Sequence, residues 1–312
     1  MPVHFLKHHS NVKFRPGLCL VLVLFAFIIS CSKQTDTKTR SLILTGIKSA
    51  KGSEMVSVKI DSGVINTTPV ACYFFSSTVV DPATGGYGYV DCDTLFRLIN
   101  PLTGEEIRSF RVPWGYSQTV INGNLLIGRY TTIAYEQGTG APIYTNYVLT
   151  LDLESGTKIA ENQVNLGDGA WACSYYYDND NNGYVLLRSD NILLSINPLT
   201  GEIFDSVNIG KTVSNLVFDN EGRRVIGLTY SFDTDRNYVE VYDPETGNQI
   251  SAREITQRDN YYACVNGYDS GSNSYMLVNT NNEVLFIDIS SGAIKKTYKL
   301  DDQMNDIKFW SK

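Results

Sequence analysis

From residue 41 onward, apolar and polar side chains alternate in short runs broken by turn residues, and one unit of this pattern recurs six times. Each unit is an alternating strand, a turn ending in Ser/Thr-Gly or Asp-Ser-Gly, and a second strand. The copies are MVSVKIDSGVI from Met55, LFRLINPLTGEEI from Leu95, VLTLDLESGTKI from Val148, LLSINPLTGEIF from Leu193, VEVYDPETGNQI from Val239 and VLFIDISSGAIK from Val284. Their turn glycines, Gly63, Gly104, Gly156, Gly201, Gly247 and Gly292, lie 41, 52, 45, 46 and 45 residues apart. Period-two alternation bounded by such turns predicts half-buried strands joined as hairpins. In the turns at Asn100, Asn197 and Asp243, the side chain accepts from the backbone two residues on. The following proline presets φ, and the glycine supplies the positive φ that returns the chain.

A second motif precedes each hairpin, as in SNLVFDNEGRRVIGLTY from Ser214: one strand, an Asp/Asn/Gly turn, another strand. Four short strands per period of roughly 45 residues is the blade unit of a propeller. No stretch carries convincing helical periodicity. The run SLILTGIKS reads as a second strand lacking a first, and the C-terminal NDIKFWSK reads as a first strand lacking a second. The expectation is an all-β, six-bladed β-propeller over residues 41–312 with four-stranded antiparallel blades, its first blade completed by the C-terminal strand. Such closure removes free sheet edges.

The first residues differ. Lys7, Lys13 and Arg15 precede an apolar run from Leu18 to Ile29, which ends in Ile28-Ile29-Ser30-Cys31. The run suits a signal sequence and is too short to span a bilayer. Its end resembles the lipobox of bacterial lipoproteins. That resemblance implies cleavage before Cys31, lipidation of that cysteine as the membrane anchor, and sorting to the outer membrane. Residues 32–40 are polar and read as a tether.

Charge and composition then narrow the chemistry. After removal of the first 31 residues, 23 basic residues face 33 acidic ones, with no basic run, so nucleic acid is not an expected partner. All three histidines, His4, His8 and His9, lie in the leader. The exported chain therefore has no Ser–His–Asp or Cys–His nucleophile system and no histidine-held metal.

FDNEGRRVIGL followed by VEVYDPETGNQI resembles the YVTN-type and quinoprotein-dehydrogenase-like propeller repeats. The resemblance implies fold rather than activity. Quinone-binding members usually have eight blades and a tryptophan ending each repeat. Six blades are expected here, and no tryptophan follows the turn glycines.

In propellers, the loops leading into the first strands form one face of the central channel. Those positions align as Ala71-Cys72, Ser117-Gln118, Ala172-Cys173, Ser214-Asn215, Ala263-Cys264 and Asn305-Asp306. Three cysteines thus alternate with Gln118, Asn215 and Asp306. They are either a ring able to hold a soft metal or small buried packing residues; the second reading is favoured. Cysteines in alternate blades are too far apart to pair. A Cys72–Cys92 bridge stays open, although the hairpin register does not put the two opposite. Trp114, Tyr116, Trp171, Tyr261 and Tyr262 gather at the same loops, as amphipathic rings do on a sugar- or peptide-binding surface. Asp178, Asp180 and Asn182 have the spacing of a calcium loop, but the twelfth position is Ser189, and a plain Asp/Asn/Gly turn explains the motif equally.

These readings lead to a non-catalytic binding or scaffold propeller on the bacterial envelope, with an envelope protein, peptide or glycan as partner and no cofactor beyond a calcium ion. The alternative is a histidine-independent, calcium-dependent hydrolase resembling gluconolactonases, with Asn215 and Asp306 at the channel mouth. The sialidase repeat Ser-x-Asp-x-Gly-x-Thr-Trp is absent.

Overall fold

A computed structural model describes residues 41–48, 53–60, 62–70, 72–73, 77–167, 169–257, 260–262, 265 and 267–311. Cys31, the leader and the tether lie outside the described residues, as does Cys264; Trp171 and Cys173 are described only in their backbones. Residues 41–312 form one compact unit.

The described residues form 24 strands in six antiparallel sheets of four. Blade 1 takes β1 (Leu42–Lys48), β2 (Ser53–Lys59) and β3 (Gly63–Val70). Blade 2 is β4 (Val79–Val80), β5 (Tyr87–Val90), β6 (Leu95–Ile99) and β7 (Glu106–Arg111). Blade 3 is β8 (Ser117–Asn122), β9 (Leu125–Tyr135), β10 (Pro142–Asp152) and β11 (Lys158–Val164). Blade 4 is β12 (Ala170–Asp178), β13 (Gly183–Arg188), β14 (Ile192–Ile196) and β15 (Ile203–Asn208). Blade 5 is β16 (Ser214–Asp219), β17 (Arg224–Ser231), β18 (Arg236–Tyr242) and β19 (Gln249–Glu254). Blade 6 is β20 (Gly267–Asp269), β21 (Ser274–Val278), β22 (Glu283–Asp288) and β23 (Ile294–Lys299). The last strand, β24 (Met304–Ser311), pairs with β1 and completes blade 1, as expected. Among the described residues no helix is long and apolar enough to cross a membrane.

The innermost strands touch in the order β24, β4, β8, β12, β16, β20 and back to β24, which closes the ring. Six buried apolar clusters hold it, one at each junction of neighbouring blades. Leu44, Val56, Met276 and Phe286 join blades 1 and 6; Val185, Val207, Leu216 and Val225 join blades 4 and 5. Middle strands are buried on both faces, whereas outermost strands such as β7 and β15 are largely exposed. Burial thus falls from ring centre to rim, as apolar area removed from water requires.

The hairpin turns behave as their sequences dictate. Asn100, Asn197 and Asp243 accept the backbone N–H two residues on at 2.9, 2.9 and 2.8 Å. Gly104, Gly201 and Gly247 take φ of 77°, 73° and 73°.

A feature of the innermost strands is absent from the alternation pattern. In blades 1, 3 and 5 the register slips, so that two residues oppose one: Asp306-Ile307 opposite Gly46, Gln118-Thr119 opposite Gly128, and Asn215-Leu216 opposite Gly227. These are β-bulges. Gln118, Asn215 and Asp306 carry left-handed φ of 53°, 52° and 50°. The glycine opposite is required by space: a Cβ on Gly227 would lie 2.3 Å from Val213 Cγ1.

Candidate ligand-binding faces

The innermost strands all run one way, so the channel has an upper face, where the chain enters them, and a lower face, where it leaves. The loops joining second to third strands also lie on the upper face. The turns joining first to second and third to fourth strands lie on the lower one.

The upper face is the surface that the aromatic pattern points to, and its membership differs in part from expectation. Trp114 is 68 % exposed there. Tyr116 is instead fully buried between blades 2 and 3, its hydroxyl directed at the carbonyls of Leu126 and Leu149. Tyr261 and Tyr262 are half-buried, and Tyr262 donates to Thr280 and Asn282 at 3.5 and 3.3 Å.

Two exposed features of this face are not legible as sites in the sequence. The β9–β10 hairpin overruns its blade: β8 pairs with β9 only as far as Arg129, and β11 with β10 only from Asn146, whereas β9 and β10 stay paired out to Tyr135 and Pro142. Ile133, Tyr135, Ile143 and Tyr144 are exposed on this arm. Phe232, in the corresponding loop of blade 5, is 89 % exposed and meets Tyr230 edge-on. Length alone signals the arm, since 22 strand residues join in one hairpin.

Gln118, Asn215 and Asp306 are buried within the wall rather than open to the channel mouth. Each sits at a bulge. The Gln118 side-chain oxygen accepts from the Arg129 guanidinium, and the Asn215 amide donates to the Tyr262 carbonyl at 3.0 Å. The Asp306 carboxylate faces Tyr73, whose phenol is pushed well up, first by burial and then by that negative charge.

Strand register also shifts the cysteine alignment. Val80, Tyr177 and Tyr268 are equivalent, being paired with Tyr87, Tyr184 and Tyr275. Counting back, Ser77, Ser174 and Val265 occupy the position of Gln118, Asn215 and Asp306, and Cys72 lies five residues before Ser77. Cys72 instead forms a disulfide with Cys92, their Cα atoms 5.6 Å apart. Hairpin register alone cannot show this pairing.

The calcium-loop spacing resolves into a charge-paired turn. Asp178 accepts the backbone N–H groups of Asp180 and Asn181, and Arg223 from the next blade donates to both its oxygens at 2.6 and 3.2 Å. Arg223 also pairs with Asp180 at 3.1 Å. Asn182 supplies the left-handed corner, φ 49°. The guanidinium thus sits against the oxygens that a calcium ion would take. Burial, the largest influence on Asp178, raises its pKa; Arg223 and Asn181 outweigh it and hold the carboxyl below its usual range.

A cavity of about 770 Å3 opens on the lower face and draws on blades 1 to 5. Asn122, Tyr177, Asn179, Asn220 and Trp310 line it. These residues lie at the ends of first strands or in the turns that follow, many residues apart in sequence.

No protein family matches the chain, and no curated protein matches it. Solved structures do match. The β-propeller domain of Cps50 (Swd1) from Myceliophteria thermophila is 11 % identical, with a TM-score of 0.53 over 83 % of this chain and 84 % of that one. BamB from Moraxella catarrhalis is 10 % identical, with a TM-score of 0.42 over 82 % and 76 %. The likeness is one of fold. This chain is a six-bladed β-propeller, and at such identity the site must be argued from its own residues.

Proposed function

We propose that this propeller is an envelope-anchored lipoprotein, held through Cys31, that acts as a non-catalytic binding scaffold for a protein, peptide or glycan on its upper face. The observation that carries the reading is the exposed apolar set on that face: Trp114, Phe232, and the β9–β10 arm with Tyr135 and Tyr144. Large rings held in water on a rigid frame are characteristic anchors of interfaces. The arm also has free main-chain edges beyond Arg129 and Asn146, the kind of edge on which a partner strand can add. The leader supports anchoring. Asn215 and Asp306, which a calcium-dependent hydrolase would need at the channel mouth, are committed within the wall.

Site-specific photocrosslinking in intact cells tests the binding half. A photoreactive residue at Trp114, Tyr144 or Phe232 should give a discrete adduct, and one at the rim residues Ile107 or Ile250 should not. Equal labelling from both sets, or none from the upper face, rejects the reading. For the anchor, Cys31→Ala should move the protein from membrane to soluble fractions; a variant that stays in the membrane rejects lipidation there.

A further inference from the structure

We propose that the lower-face cavity is a binding site for a neutral saccharide, separate from the upper face. About 770 Å3 lies within the range of small-ligand sites and is enough for several sugar rings.

The lining chemistry is mostly uncharged. Among the described residues no lysine, arginine or histidine lines it. Its one carboxylate, Asp81, is used internally: it accepts from the Ala83 N–H at 3.0 Å and the Thr84 hydroxyl at 2.5 Å. A cation would find no free acidic group. What remains is side-chain amides and aromatic rings.

Asn179 and Asn220 meet across the blade 4–5 junction at 3.3 Å through one amide N–H and one carbonyl oxygen. That contact leaves the Asn179 carbonyl oxygen and the Asn220 amide nitrogen for other partners. Asn122 lies near the Tyr177 phenol across the blade 3–4 junction. Amides both donate and accept, which suits hydroxyl groups that do the same.

Trp310 provides a stacking surface. Its six-membered ring lies over Gly85, where a Cβ would come within 2.7 Å of Cζ3. Gly85, with φ of 73°, thereby holds the indole against the cavity wall. The indole Nε1 is buried with no hydrogen-bond partner. That atom is closed to solvent, so Trp310 offers a ligand its ring and not its N–H. Rings for the C–H faces of a sugar and amides for its hydroxyls are the two elements such a ligand requires.

The test is calorimetric titration of the full chain, held in a sugar-free detergent, with maltotetraose, cellotetraose and chitotetraose as probes. At least one should bind with Kd below about 1 mM. Trp310→Phe should weaken that binding about tenfold, and so should the double change Asn179→Ala/Asn220→Ala. Both asparagines are exposed turn residues, so the double variant serves if Trp310→Phe does not fold. Ile250→Ala on the rim should leave the affinity unchanged. No binding of any probe up to about 10 mM overturns the proposal. So does binding that both lower-face variants leave intact. Neither result bears on the upper-face crosslinks.

Discussion

The hydroxyl of Tyr184 donates a 2.6 Å hydrogen bond to the backbone carbonyl of Gln118 in the preceding blade. The relationship repeats: Tyr275 bonds the Asn215 carbonyl at 2.5 Å, and Tyr87 bonds the Asp306 carbonyl at 2.8 Å. In each case a fully buried tyrosine of an even blade satisfies the carbonyl at the bulge of the odd blade before it. The bond thus recurs at every second junction around the ring. Tyr184→Phe leaves one buried carbonyl without its donor and should cost about 1–3 kcal/mol, read from urea unfolding with an unchanged slope. A loss within experimental error would show that the bond contributes nothing.

The Asp178–Arg223 pair makes part of the stability depend on pH. Asp178 is held below its ordinary value, so its contribution is present above about pH 4 and is lost as pH falls through the folded-state value. Arg223→Gln should cost about 1–2 kcal/mol at pH 7, between the values for exposed and buried pairs. The gap between parent and variant should narrow on acidification below about pH 4. Unfolding measured from pH 3 to 7 checks it; a gap of constant size would mean that the carboxylate is not the group being lost.

Reducing the Cys72–Cys92 bridge should also destabilise the propeller. The crosslink spans 20 residues, for which chain entropy gives about 3 kcal/mol. Paired replacement of both cysteines by alanine should lower the melting temperature by several degrees and remove the sensitivity to reductant. If both residues react as free thiols in unreduced protein, the bridge is not formed.

Two repeat glycines with nearly the same φ should tolerate alanine very differently. Gly63 has φ of 88° and open space around it, so Gly63→Ala meets only backbone strain, about 1–2 kcal/mol. At Gly292, φ 77°, a Cβ would lie 2.1 Å from the Glu254 carbonyl oxygen of the preceding blade. Gly292→Ala should cost about 3 kcal/mol or more. Thermal unfolding of the pair decides the matter, and equal costs would place the whole effect in the local backbone.

The fold was readable because its determinants are local. Alternation, Asx turns and the glycines of positive φ repeat along the chain, and the unmatched first and last strands announce their pairing. The bulges were not readable. A strand whose register slips at Gln118 or Asn215 keeps its composition, and only the partner glycine across the sheet reveals the slip. Tyr116 shows the consequence, since its place beside Trp114 in sequence says nothing of its direction after a turn. Trp114 itself lies exposed on the upper face. The lower cavity escaped because Asn122, Asn179, Asn220 and Trp310 come together only when the ring closes.

The pairing of β24 with β1 has a mechanical side. Ser311 lies opposite Leu42, so the closing strand and the first strand have their outer ends together on the lower face. Tension applied to those ends would load one rung of the ladder at a time, and the seam would peel like a zipper instead of shearing as a block. The same seam that thermal motion must break all at once is thus the place where a modest directional pull would open the ring.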